Sequence, residues 1–277
     1  MDATVARKMY RALEPYHAMI YFVPEATQAY KQLGLKGRMA GYFASRAAAM
    51  GPISAEIVIS TFFNFNPQLV RSAIPGAWQV AMPEQFIAAR LGAVDAALRR
   101  MLGENIESPE VAEAASIARE ATTACISEGR VIYAAHAALP WPAEPHMVLW
   151  QAVTLLREFR FGGHVAALLT DEVDGIEALI MHAATGEASR QSLQSTRGWS
   201  DEEWEAASQQ LRERGWLTSD NTLTEEGQSH RNAVEQLTDQ LALAPWRHIG
   251  DASCERLRDL GRPLSKTIVD AKTFATF

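Results

Sequence analysis

Residues Ser200–Gly227 read SDEEWEAASQQLRERGWLTSDNTLTEEG, and this stretch decides the fold that we predict. Its first part predicts a helix over 200–214. A polar turn at Ser219-Asp220-Asn221 then separates two short segments with β propensity, which predicts a small hairpin. A helix followed by such a hairpin is typical of a winged helix, whose second helix enters the major groove of DNA.

The predicted helix begins with the wrong charge for DNA. Four of the five residues 201–205 are carboxylates: Asp201, Glu202, Glu203 and Glu205. A DNA-binding helix presents cations and amides here, because carboxylates repel phosphate. Acidic side chains in a first helical turn also complement the helix dipole, which is a structural reason for their presence. On either interpretation, we do not expect this helix to contact a DNA backbone.

The composition narrows the class of protein. The chain has 277 residues, 48% of them hydrophobic, so two domains are the better expectation. Its net charge of -7 offers no general attraction to a polyanion. Cys125 and Cys254 lack the spacing of a metal or redox motif, and we interpret them as packed thiols. Because the N-terminus does not read as a leader and no apolar run is long enough for a bilayer, we expect a soluble, cytoplasmic protein.

Helical spacing of apolar residues dominates the chain. The run LPWPAEP over 139–145 fits neither a helix nor a central strand and marks the best domain boundary. We therefore predict an N-terminal helix-turn-helix-like domain over 1–138, a winged-helix domain over 146–250 and a C-terminal tail over 251–277. A helix over 146–159 is expected to be broken by Gly162-Gly163 before His164.

Two short helices predicted in the first half also outline a helix-turn-helix. One starts after Ser54 as its N-cap, and the other carries Pro67 at its first position. Three pairs of identical residues, His17 and His164 among them, are 147 positions apart, which suggests a duplication, although identities this sparse also arise by chance. The predicted fold class is all-α with a small β wing, in a tandem, pseudo-duplicated winged-helix and helix-turn-helix-like architecture.

The stretch 164–243 resembles the winged-helix domain of MarR-type regulators. The resemblance rests on SDEEWEAASQQLRERGWL, on the predicted wing TSDNTLT and on TEEGQSHRNAVEQLTDQLA after it. With EPYHAMIYFVPEA (14–26) and GYFASRAAAMG (41–51) added, the whole chain is similar to a family of uncharacterised actinobacterial helix-turn-helix-like proteins. The resemblance implies a fold, and a ligand pocket between two halves as in dimeric MarR-type proteins, but no activity.

The first candidate site consists of Glu14, His17, Tyr21 and Glu25. Helical spacing places His17 and Tyr21 on one face, and Glu14 can reach the imidazole if the chain after Pro15 is helical. A carboxylate that orients an imidazole beside a phenol is a usable general acid/base group. The alternative is a buried histidine satisfied by a neighbouring carboxylate. Glu-x-x-His also occurs at di-iron sites, but those need two copies and the chain has one, so we predict no metal.

The second candidate site consists of Glu158, Arg160 and His164 in the run REFRFGGH. If the glycines break the helix, His164 lies near the positive N-terminal end of the next helix, where an anion binds. The alternative gives the glycines a structural use as a helix end and linker. A duplication would make His17 and His164 equivalent and place them opposite each other between the halves.

The third candidate site surrounds Arg46, which lies in a helix of small and apolar residues and needs an acidic partner or a ligand. Aromatic residues at 62, 63 and 65 cannot all face one side of a regular helix, so part of the run is expected to line a cavity or interface. The alternative is that the aromatic run is core. The ligand-binding candidates here are Tyr42, Arg46, Phe62, Phe63 and Asn64.

Together, these sites predict a small-molecule-binding protein that has lost DNA binding, with a cofactor-independent lyase, cyclase or isomerase of specialised metabolism as its extension. The catalytic candidates are His17, His164, Glu14, Tyr21 and Glu158, and Arg160 is a further ligand-binding candidate. The expected partner is a partly apolar organic molecule, with no cofactor, nucleic acid or membrane. Two alternatives stay open: a MarR-like, ligand-responsive transcription regulator, as a homodimer, that reads DNA through another surface, and a scaffold for a protein partner.

Overall fold

The chain folds into helices joined by short turns. The computed structural model describes residues 1–274. Fifteen α-helices occupy most of that range. In chain order they are α1 (Thr4–Ala18), α2 (Pro24–Gln32), α3 (Arg38–Ala47), α4 (Ala55–Phe62), α5 (Pro67–Ala73), α6 (Gly76–Val80), α7 (Pro83–Leu102), α8 (Pro109–Thr122), α9 (Val131–Ala137), α10 (Pro145–Thr170), α11 (Gly175–Ala184), α12 (Arg190–Arg197), α13 (Asp201–Glu213), α14 (Glu225–Leu241) and α15 (Ala244–Asp270).

The predicted all-α class agrees with this structure, but the predicted β wing was wrong. No β-strand forms among residues 1–274, and the segment between α13 and α14 contains only an isolated bridge between Leu217 and Leu223. The reason is the early start of α14. Thr224 directly follows the bridge and already accepts the Gly227 N–H as the N-cap of α14, so no residues remain to extend a ladder. The segment is a tight turn.

The predicted helix break at Gly162-Gly163 was also wrong, because α10 runs through both glycines. They allow other elements to pack closely on α10. A Cβ on Gly162 would lie 2.7 Å from Arg130 Cγ, and one on Gly163 would lie 3.0 Å from Leu241 Cβ. The glycines therefore admit the residue before α9 and the end of α14 to the surface of α10. His164 lies inside a helix and not at an N-terminus.

The caps of the short helices follow the sequence prediction. Ser54 and Ser200 cap α4 and α13, and Pro67 is the first residue of α5. Asn66 supplies the N-cap of α5. The pair α12 and α13, joined by the three residues 198–200, has the connection of a helix-turn-helix.

The core consists of two main hydrophobic clusters that meet along α10. The larger contains the buried faces of α1, α7, α8, the first half of α10 and α15. The smaller lies within residues 167–234. The first and last helices pack directly, since a Cβ on Gly261 would lie 2.5 Å from Leu13 Cδ2 and Ser265 donates to the Ala12 carbonyl. The division into domains at 138, 146 and 250 stays a prediction.

A helix that crosses a bilayer needs about 20 predominantly apolar residues. None of the helices of residues 1–274 combines that length with that apolar character.

Candidate functional site

A buried ion pair links α3 to α10. Arg46 Nε and Nη2 donate to the two carboxylate oxygens of Glu158 at 3.1 and 2.9 Å, and neither side chain is more than 2% exposed. Burial acts to raise the pKa of Glu158, but Arg46 and Arg157 beside it outweigh burial and hold that pKa far below its ordinary value. Arg46 Nη1 also donates to Tyr42 Oη at 2.9 Å. The acidic partner that the sequence required for Arg46 is therefore Glu158, and the second and third candidate sites meet here.

Glu14 bonds to an arginine and not to His17. Its carboxylate accepts from Arg157 Nε at 3.4 Å, while Arg157 Nη1 donates to Glu158 at 2.9 Å. Burial raises the pKa of Glu14. The expectation that Glu14 orients the imidazole was wrong, because the Glu14 side chain bonds to Arg157 of α10 and both ring nitrogens of His17 have other partners.

His17 is fully buried, and both its ring nitrogens have partners. Nδ1 lies 2.9 Å from Thr154 Oγ1, and Nε2 lies 3.0 Å from Tyr21 Oη. Thr154 donates its hydroxyl hydrogen to the Trp150 carbonyl at 2.8 Å. Because a carbonyl can only accept, the hydrogen between Nδ1 and Thr154 belongs to His17, and Tyr21 donates to Nε2. Burial lowers the pKa of His17, so the imidazole is neutral.

His164 on α10 has the same arrangement, with a threonine of α14 as its partner. Its Nδ1 lies 2.9 Å from Thr238 Oγ1, and Thr238 donates to the Val234 carbonyl at 2.7 Å. Burial lowers the pKa of His164 to about 4. Nε2 has no hydrogen-bond partner among residues 1–274. A neutral imidazole in this tautomer offers an acceptor nitrogen.

His17 and His164 are not paired across the molecule. Thr154, the partner of His17, and His164 itself are ten residues apart on α10, a distance of about 15 Å along a helix axis. The expectation that the two histidines face each other is not met.

Three arginines surround two carboxylates beside His164. Asp239 pairs with Arg7 and Arg160 at 2.8 Å each. Glu235 pairs with Arg231 at 3.1 Å and with the other two at 3.4–3.5 Å. Since His164 is neutral, this cluster of five side chains has one positive charge more than it has negative charges.

Four side chains of the cluster, all except Asp239, line a cleft of about 610 Å³ between α1, α10, α11 and α14. An adjoining cavity of about 300 Å³ shares His164, Phe161 and Tyr10 with it and adds apolar walls from Leu168 and Leu179. A cationic cleft with an apolar extension can hold an organic anion that carries a hydrophobic group.

The structure distributes the predicted residues among different surroundings. His164 and Arg160 line the cleft, and Phe63 and Asn64 line its apolar extension. Phe63 has a left-handed backbone conformation, with φ of 61°. As a result, Phe63 packs against the smaller hydrophobic cluster, whereas Phe62 beside it lies in the larger one. The remaining candidates line neither cavity and lie in the buried network or the core: Glu14, His17, Tyr21, Tyr42, Arg46, Phe62 and Glu158.

Sequence reasoning missed several cleft residues. Arg7 and Tyr10 share one face of α1 with Glu14, and Arg231 and Glu235 are four apart on α14. Their helical spacing was a usable signal, since polar residues three or four apart form one stripe. Arg157 was passed over in the run that supplied Glu158 and Arg160.

The acidic first turn of α13 is fixed within the molecule. Glu203 accepts the Ser200 N–H in a capping box and also accepts from Asn66 Nδ2 at 3.0 Å. Asp201 pairs with Arg190 at 2.9 Å. The exposed residues of this helix include five carboxylates and no lysine or arginine: Asp201, Glu202, Glu203, Glu205 and Glu213.

Comparison with known proteins gave one result. A family model described as a helix-turn-helix family matches residues 6–275. Comparisons with curated proteins and with solved structures gave no match. The match supports the resemblance to helix-turn-helix proteins that the sequence shows. It gives no support for a MarR-type or an actinobacterial family.

Proposed function

We propose that this chain, which belongs to the helix-turn-helix family, is a small-molecule-binding protein. The second helix of its helix-turn-helix, α13, is acidic, and its helices enclose a cationic cleft. The protein binds a small organic anion with an apolar group in the cleft and does not use α13 to bind DNA. The observation that carries this proposal is the set of three arginines on two carboxylates beside a neutral histidine.

The charge of the cleft supports an anionic ligand. The chain as a whole has a net charge of -7, yet the cluster of Arg7, Arg160 and Arg231 keeps one positive charge in excess after its pairs with Glu235 and Asp239 are counted. Guanidinium groups bind carboxylates and phosphates in a bidentate geometry. An anion would neutralise the excess charge of the Arg7, Arg160 and Arg231 cluster, and the apolar extension would hold the rest of the molecule.

Calorimetric titration with phenyl phosphate tests the cleft. Arg231→Gln removes one cation and should weaken binding at least about tenfold, since one charge-assisted hydrogen bond contributes about 1.5–3 kcal/mol. Arg212→Gln is the matched control, because Arg212 is similarly exposed, at 20% against 17%, and also pairs with a glutamate of its own helix. Equal effects of the two substitutions, or no binding of phenyl phosphate by the unaltered protein, would reject the proposal.

The absence of DNA binding through α13 has its own test. Helix-turn-helix proteins contact bases with the N-terminal residues of their second helix. In this chain, those residues are acidic, and two of them, Asp201 and Glu203, are bonded to Arg190 and Asn66. Fluorescence anisotropy with a random duplex at low salt should show no saturable binding. Micromolar binding that falls steeply with salt would favour the transcription regulator, which reads DNA through another surface, and would contradict a function limited to small-molecule binding.

An acid/base reaction in the cleft is an extension of the same proposal. His164 Nε2 is the acceptor nitrogen that such a reaction needs, and Thr238 fixes its tautomer. His164→Gln should then leave the affinity for phenyl phosphate within about twofold while abolishing exchange of an acidic C–H hydrogen of a bound carbon acid. Unchanged exchange would restrict the function to binding.

A further inference from the structure

A separate cavity of about 470 Å³ lies between α2, the loop over 33–37 and α3. It shares no lining residue with the cleft. Ile20, Ala26 and Leu35 give it apolar walls, and three tyrosine rings complete the enclosure: Tyr21, Tyr30 and Tyr42. Walls of this kind fit a flat, apolar body such as an aromatic ring system.

The charged residues of this cavity all have the same sign. Lys31, Lys36 and Arg38 line it, and no carboxylate does. Lys31 and Lys36 form no ion pair with any residue of the described range. In a chain whose net charge is -7, a rim made only of cations favours an anionic group at the entrance.

The interior also offers hydrogen-bond donors. The Tyr30 hydroxyl is buried, and no group among the described residues accepts its hydrogen. Burial raises the pKa of Tyr30, and the Ser45 side chain, which acts on the hydroxyl only as a donor, partly offsets this rise. Tyr42 Oη accepts from Arg46, and no described group accepts its own hydrogen. A buried donor without a partner is unfavourable, so an oxygen atom placed here by a ligand would be stabilised.

We propose that this cavity is a second binding site, which takes an aromatic carboxylic acid. The carboxylate lies at the entrance beside Lys31 and Lys36, the ring system lies between the tyrosines, and an oxygen at the far end of the ring accepts from Tyr30. The proposal is independent of the cleft, because the two sites have no residue in common.

Calorimetric titration with a hydroxynaphthoate tests occupancy of the cavity. Thr27 is an exposed lining residue on α2, so Thr27→Trp should close the entrance without disturbing the core and should weaken binding at least about tenfold. Gln28→Trp is the matched control, because Gln28 is its exposed neighbour and does not line the cavity. The control should bind like the unaltered protein.

Two further comparisons test the assigned contacts. Lys31→Glu with Lys36→Glu should weaken binding of hydroxynaphthoate at least about tenfold but leave neutral naphthalenemethanol within about twofold, whereas the exposed Lys8→Glu changes neither. Tyr30→Phe should weaken binding of hydroxynaphthoate more than binding of naphthoate.

Three results would overturn the proposal: no saturable binding of hydroxynaphthoate to the unaltered protein, equal binding by the Thr27→Trp and Gln28→Trp variants, or loss of binding in Arg231→Gln. The last result would place the aromatic acid in the cleft. Failure of phenyl phosphate to bind would leave this second site untouched.

Discussion

At the scale of single residues, the carboxylate of Glu158 has the most demanding surroundings. It is fully buried and accepts from both Arg46 and Arg157, two cations that α3 and α10 place side by side, and Glu14 supplies the second anion by pairing with Arg157. A buried ion pair contributes little compared with a well-packed apolar pair, but removal of one partner leaves an uncompensated charge. The network therefore depends on every member.

The first prediction concerns this carboxylate. Glu158→Gln keeps the shape but leaves Arg46 and Arg157 without their shared anion, and it should lower the free energy of unfolding by about 3–5 kcal/mol in urea titrations at pH 7. Glu56→Gln, which breaks the exposed pair with Arg71, is the control and should leave stability unchanged within error. Equal stability of the two variants would show that the Arg46–Glu158 pair is not buried as described.

The second prediction concerns the tautomers of His17 and His164. Each Nδ1 donates to a threonine whose own hydrogen bonds to a carbonyl four residues earlier, so both rings should be neutral Nδ1–H tautomers at pH 7. Nitrogen-15 chemical shifts of the ring atoms distinguish the two neutral forms. Thr154→Val and Thr238→Val should each alter only the histidine that they contact. An Nε2–H form in either ring would refute the assigned hydrogen-bond directions.

The third prediction concerns His136, whose Nε2 lies 3.2 Å from the Arg46 carbonyl. Burial, and then Arg90, lower its pKa to about 4. Between pH 6.5 and 4 the unfolded chain therefore binds a proton that the folded protein does not, so stability is lost as the pH falls through this window. One such histidine should cost about 2 kcal/mol between pH 7 and 5.

The control for this effect uses paired variants. His136→Gln keeps a donor toward Arg46 and should reduce the decline in unfolding free energy between pH 7 and 5 by about 2 kcal/mol, while the buried His17 and His164 still contribute to that decline. His248→Gln replaces a ring whose side chain is 43% exposed and should retain the full decline. Parallel pH profiles for the two variants would exclude a neutral, buried His136.

At the scale of helices, the fourth prediction compares two glycines. Gly92 lies on the exposed side of α7 with open space around it, so Gly92→Ala should raise the free energy of unfolding by about 1 kcal/mol. Gly163 faces Leu241, and Gly163→Ala should lower the same quantity by roughly 1 kcal/mol because α14 must move outward. Thermal and urea unfolding of both variants measure the difference. A stabilising Gly163→Ala would mean that α10 and α14 are not in close contact.

The helices also show which features a sequence can predict. Ser54, Pro67 and Ser200 act on backbone groups within their own first turn, so their caps could be read locally. The prediction from Gly162 and Gly163, by contrast, was wrong, because α10 continues through both residues. In isolation they favour a helix end, but the contacts with Arg130 and Leu241 require a continuous helix without side chains there. Tertiary packing overrode a local propensity.

At the scale of the whole molecule, the fifth prediction concerns residues 251–277, which the sequence suggested as a tail. Leu257 of α15 is fully buried in the larger cluster, so Leu257→Ala should cost about 2–5 kcal/mol of unfolding free energy. Val269 lies on the same helix but is 48% exposed, and Val269→Ala should cost much less. Similar costs in urea titrations would favour the tail.

The candidate site could be predicted only in part because its contacts are distant in sequence. The need of Arg46 for an acidic partner follows from its apolar helix, but Glu158 is 112 residues away and no spacing rule connects the two. His164 and Arg160 were found from their own run of sequence. The cleft cations of α1 and α14 meet them only when the chain is folded.

The packing of the first helix against the last determines when the larger core can form during synthesis of the chain. Leu13 is covered by Gly261, which leaves the ribosome 248 residues later. At about 5–20 residues per second, the apolar stripe of α1 therefore waits roughly 12–50 s before its partner exists. During that interval it is exposed apolar surface, which favours aggregation, and the larger core closes only after α15 emerges.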